Sequence, residues 1–146
     1  MQRLVRILLA ILALSNLQVG IWATFFPQSF YDDFPGGDRA WVSADGPFNE
    51  HLVRDFGATN LALGVLTIAA FIWMTRTLVV TAGVAWVVYG VPHLVYHLRH
   101  LDVYDTGDQV ANAVLLTLAP LAGVAVAVLG ARLPPASEHA ARSGPA

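Results

Sequence analysis

The chain has 146 residues, of which 56% are hydrophobic and 12% charged, with a formal net charge of −2. A soluble domain carries about 25% charged residues, so roughly half the usual polar surface is missing, and a water-soluble globule, a disordered chain and a nucleic-acid binder are excluded. There is no cysteine, which removes disulfides, thiolate metal sites and thiol catalysis.

A mean hydropathy of +0.59 leaves the class of small polytopic membrane proteins. A bilayer-spanning helix needs about 20 mostly apolar residues, and four runs meet that length: 7–26, 56–74, 77–96 and 110–129. None of them contains Asp, Glu, Lys or Arg. The expected fold is all-α, a four-transmembrane-helix bundle forming one domain over 1–130. The first run has the basic start of a signal peptide in Arg3 and Arg6, but its apolar stretch continues through Trp22 to Phe26, long enough to span. Residues 27–55 read as a long polar loop rich in aromatics. Asp45-Gly46-Pro47 reads as the start of the second helix, because Asp caps and proline suits the first turn. Thr75 and Arg76 form a tight turn, and 97–109 a second loop in which Asp102, Asp105 and Asp108 read as a solvated helix cap. The segment 131–146, with Pro134-Pro135 and small residues, reads as a disordered tail.

Four spans put both termini and the Arg76 turn on one side, with Arg3, Arg6, Arg76, Arg132 and Arg142; the other side holds Arg39, Arg54 and Arg99. The positive-inside rule then places both termini in the cytoplasm of a bacterial plasma membrane and the two acidic loops outside. Ser15, Asn16 and Gln18 lie at mid-depth in the first span, with Asn60 and Asn112 in the outer third of theirs; amides at such depths hydrogen-bond across helices.

The chemistry concentrates on the third span. Trp86, Tyr89, His93, His97 and His100, spaced 3, 4, 4 and 3, fall near one line on a helix. Pro92 cannot donate to the carbonyl of Val88 and predicts a kink. On the second span, Glu50–Arg54 and His51–Asp55 are i,i+4 pairs. Topology sets both clusters at the same membrane level, with Tyr96 close by. One account makes them interface residues and exposed pairs of about 0–1 kcal/mol each. Another is a divalent metal site, with His93 and His97 joined by His51 and Glu50 around zinc, iron, manganese or copper. The third is acid–base work by His51, Asp55, His93 and His97, with Arg54 balancing charge and His100, Tyr89 and Tyr96 in support.

Gly46-Pro47-Phe48-Asn49-Glu50-His51, the run Asp55-x-Gly57-Ala58-x-Asn60-Leu61-Ala62-Leu63-Gly64, and Pro92-His93-Leu94-Val95-Tyr96-His97 together resemble the DoxX-like group of small bacterial membrane proteins. The resemblance spans 1–130 and implies the four-helix fold; some members resemble accessory subunits of oxidoreductase systems. The functional expectation is an accessory or small-molecule-handling membrane protein with a shallow His/carboxylate/Arg site outside. The alternatives are a metal-dependent membrane enzyme acting on a lipidic or small substrate, and a structural subunit with no site chemistry. The expected partners are the lipid bilayer and a membrane protein or a second copy of the chain.

Overall fold

A computed structural model describes residues 1–135. Its elements are α1 (Gln2–Phe25), α2 (Pro27–Asp33), α3 (Trp41–Ala44), α4 (Glu50–Trp73), α5 (Arg76–Leu98) and α6 (Thr106–Gly130), with a 3-10 turn at Leu101–Val103. The four long helices α1, α4, α5 and α6 are each long and apolar enough to cross a membrane. The all-α four-helix membrane bundle expected from the sequence is therefore the observed architecture.

The helix ends explain themselves locally. Asn49, not Asp45, caps α4: its side chain accepts from the backbone N–H of Leu52 at 3.1 Å. Asp45 instead closes α3, so the second span starts later than Asp45-Gly46-Pro47 predicts. Thr75 caps α5, and Met74 before it takes the left-handed conformation that reverses the chain in two residues. Asp105 caps α6 by accepting from Asp108 N–H at 2.9 Å, as a helix cap should. Helix α5 runs unbroken through Pro92.

Packing divides the bundle into two close antiparallel pairs, α1 with α4 and α5 with α6. Lipid tails are as apolar as leucine, so helices in a membrane associate through close contact at small residues. A Cβ on Gly57 would lie 2.5 Å from the Thr24 backbone nitrogen, and one on Gly83 would lie 2.5 Å from that of Ala127. At Gly130, Gly123 and Gly20 the nearest approaches are 2.6, 2.8 and 2.9 Å. The interior is built from Val5, Leu9, Leu12, Leu63, Ala70, Val79, Trp86 and Val126. Ile7, Ile11, Leu14, Val65, Ile72, Val84, Val88, Leu118 and Val128 are exposed on the outside of the bundle, as lipid-facing side chains are.

The stretch 27–55, expected as a long polar loop, carries two short helices: Pro27 starts α2, and Phe30 and Trp41 are buried against the bundle. Apolar rings dense enough to form their own cluster fold back when water is their only other neighbour. At the other end, Leu133 is buried in the core with Val5 and Leu9. The disorder expected from 131 does not hold there, because Leu133 has apolar surface to bury. The rest of that expected tail, 136–146, lies outside the described residues.

Candidate functional site

The helix ends carrying α2, α3 and the 99–105 loop form the loop end of the bundle; the chain start and the Met74–Thr75 turn form the opposite end. From mid-bundle toward the loop end, α5 presents Trp86, Tyr89, His93 and His97 inward. Trp86 Nε1 donates to Thr67 Oγ1 at 3.0 Å. The Tyr89 hydroxyl lies 3.0 Å from Asn60 Nδ2 and 3.3 Å from Asn60 Oδ1, and Asn16 Nδ2 donates to the Asn60 backbone carbonyl at 3.3 Å. Those bonds tie α1, α4 and α5 together at one level. Asn16 and Asn60 thus bond across helices as expected. Ser15 turns back onto the Leu12 carbonyl, and Gln18 is exposed.

His93 is held between two rings. Its imidazole stacks on Tyr89 at 5.6 Å and on Phe56 at 5.9 Å, and His97 meets its edge at 4.7 Å. His97 Nδ1 is buried and has no hydrogen-bond partner. The Asp45 carboxylate on the loop side acts electrostatically on His97, Tyr96 and Tyr104. Tyr104, beyond the spans, is pushed up to about 12, first by burial and then by Asp45, Tyr96 and Asp108. Its hydroxyl donates to the Trp41 carbonyl at 3.1 Å, and Arg39 pairs with Asp108 at 3.1 Å. Together these contacts clasp the first loop to the start of α6.

The expected constellation separates into three parts. His93, His97 and Tyr89 come together. His51 and Asp55 pair at 3.3 Å on the outside of α4, with side chains 87% and 63% exposed, and do not join them. Glu50 and Arg54 pair at 2.8 Å, and Arg54 also donates to the Thr24 carbonyl near the C-terminus of α1. That bond satisfies a carbonyl that has no partner within its own helix, so Arg54 is a helix cap and not the charge balance of a histidine site. The reason is rotational. Phe56, not His51 or Asp55, is the α4 residue that faces His93. His100 falls beyond the end of α5, stacks on Tyr96 at 4.2 Å and turns its Nδ1 to the Tyr96 carbonyl at 2.7 Å, so it also leaves the column.

These placements undo the four-ligand metal set. Among the described residues, no group of three or more His, Asp and Glu side chains gathers as metal ligands would. His51 and Glu50 serve other pairs, and His93 and His97 alone offer two nitrogens where a structural or catalytic zinc takes three or four protein ligands. Sequence reasoning missed Phe56, the first apolar residue of its run, as the partner of His93, and Asp45, about fifty residues earlier in the chain, as a charge acting on His97. A shallow cleft of about 400 Å³ lies beside Phe26, Phe48, Glu50 and Arg54, on the α1–α4 side and away from the column.

Among the described residues, the buried side-chain atoms without a partner are Thr24 Oγ1, Trp41 Nε1, His97 Nδ1 and Asn112 Oδ1. All four lie in the loop-end half of the bundle. No curated protein and no solved structure matches the chain. A family model described as a domain of unknown function (DUF4345) matches residues 4–98, more than half of the chain and the whole column from Asn60 to His97. The chain belongs to the DUF4345 family.

Proposed function

We propose that this multi-pass membrane protein handles a small molecule at its loop end, with His93 and His97 as the working pair. The observation that supports this is the contrast between the two imidazoles. His93 is oriented by stacking on Phe56 and Tyr89, while His97 beside it keeps a buried ring nitrogen unpartnered. A positioned ring next to an unused one is suited to passing a proton or holding a hydrogen-bonding group. Asp55, His51, Glu50 and Arg54 stay outside this reading. Polar side chains inside a bundle are costly unless they have partners or face a cavity, which also favours an occupant.

In this reading the loop end faces outside a bacterial plasma membrane and both termini are cytoplasmic, supported by the five arginines of the opposite side. A reporter inserted after Gly37 that is active only in the cytoplasm would reverse it. The kinship with the DoxX-like group belongs to the same proposal, and rests on the runs from Gly46 to Gly64 and Pro92 to His97.

The test is ligand-observed NMR of the purified full chain in nanodiscs against a library of small polar and aromatic fragments. Fragments should bind the wild-type chain and be lost in a His93→Gln/His97→Gln variant that remains monodisperse and helical. A library that finds no fragment distinguishing the two proteins would reject small-molecule handling in favour of a structural subunit.

A further inference from the structure

The contact between α5 and α6 has a regular register. Val79 meets Gly130, Gly83 meets Ala127, Trp86 meets Gly123 and Gly90 meets Pro120. Eleven residues make about three helical turns. A step of eleven residues toward the loop end from Trp86 arrives at His97. The same step from Gly123 on the antiparallel partner arrives at Asn112. The two residues therefore sit at one level on the faces where α5 and α6 meet, and Asn112 is 2% exposed.

Each presents an unpartnered buried atom there, Nδ1 of His97 and Oδ1 of Asn112. Buried polar atoms in native proteins nearly always have partners, and two orphans at one level call for a shared one. Asn Oδ1 only accepts, whereas a neutral imidazole nitrogen accepts or donates according to tautomer. A carboxylate cannot satisfy Oδ1, and an ammonium would bury a charge between apolar helices. A hydroxyl group fits both: it donates to Asn112 and accepts from Nδ1–H. The nearby aromatic rings of His93, Tyr89 and Phe56 suit a flat organic body better than a small aliphatic one.

We infer that His97 and Asn112 form a hydroxyl-binding site between α5 and α6 that takes a neutral phenol or alcohol. This rests on the small-molecule reading above and adds to it a binding residue, Asn112, that lies beyond the family match. Water has the same hydrogen-bonding chemistry as the guest hydroxyl, and the experiment separates the two.

Phenol is titrated into the full chain in nanodiscs, with ¹⁵N-histidine NMR reading His97 Nδ1 and saturation transfer reading phenol. In the wild-type chain phenol should move the His97 Nδ1 resonance and bind saturably. Asn112→Leu, which has a similar volume and no acceptor, should weaken binding about tenfold, the effect of one hydrogen bond. Equal binding by wild type and Asn112→Leu would overturn the Asn112 site and leave the small-molecule reading standing. No phenol response, while other fragments bind through His97, would overturn the hydroxyl assignment. No phenol response and no fragment bound would reject both. An unmoved His97 resonance, with only exchangeable water detected beside it, would mean that water alone fills the site and would also overturn the proposal; this readout needs no variant to fold.

Discussion

Removing the Tyr89 hydroxyl isolates the bond that anchors the column. The hydroxyl sits 3.0 Å from Asn60 Nδ2 and 3.3 Å from Oδ1, and Asn60 is 2% exposed, so no lipid or bulk water replaces it in Tyr89→Phe. Stranding a buried amide group costs about 1–3 kcal/mol at most. Here Nδ2 retains its bond to the Phe56 carbonyl at 2.9 Å, and interhelical hydrogen bonds within membranes average about 0.6 kcal/mol with a maximum near 1.7. The expected coupling between Tyr89→Phe and Asn60→Leu is therefore about 1 kcal/mol, roughly a fivefold change in the unfolding equilibrium. A double-mutant cycle in mixed detergent micelles, with unfolding followed by helical circular dichroism, measures it. Asn16→Leu provides the internal control. Its bond goes to the Asn60 backbone, which Asn60→Leu keeps, so it should couple to Asn60→Leu more weakly than Tyr89→Phe does. A coupling below about 0.3 kcal/mol, the limit for independent sites, would refute the idea that Tyr89 and Asn60 act as a pair.

Gly83→Ala would place its Cβ against two backbone atoms, Ala127 N at 2.5 Å and Gly123 O at 2.7 Å, and should cost about 1–3 kcal/mol in the same assay. Gly64→Ala meets side chains at ordinary contact distance, Leu17 at 3.5 Å and Asn16 at 3.8 Å, and should be close to neutral, so equal costs would contradict the α5–α6 pairing. Tyr104 should ionise near pH 12 in the folded chain, against 10 when unfolded. Its contribution is then fully present below pH 10 and is lost as pH rises from 10 through 12. Phenolate absorbance follows the ionisation, and an unshifted titration of the residue removed in Tyr104→Phe would show that the clasp to Trp41 is open.

Much of the fold was legible because the bilayer imposes length and polarity on every span. Runs of about twenty apolar residues can satisfy their backbones in hydrocarbon only as helices, so four spans followed directly from the residues. The column Trp86–Tyr89–His93–His97 was legible for a similar reason: residues three and four apart share a helical face whatever surrounds them. The aromatic loop was misread. Phe30 and Trp41 have no periodic signal across so short a stretch, and their burial depends on a bundle surface that lies elsewhere in the chain.

What sequence by itself determined was the number of spans, the polar column on the third and a two-residue turn between the second and third spans, read at Thr75–Arg76 and found one residue earlier at Met74–Thr75, each set by local chemistry or helical period. What only the tertiary structure decided was the rotation of each helix about its own axis. A period of 3.6 residues says which side chains share a face but not which neighbour that face meets. That choice came from where backbones can touch, at Gly57 against Thr24 and Gly83 against Ala127. It turned Phe56 toward His93, set His51 and Asp55 outward, gave Arg54 to the end of α1, and brought His97 level with Asn112. A one-dimensional pattern cannot carry that information, because helix rotation is fixed by steric contact between segments far apart in the chain.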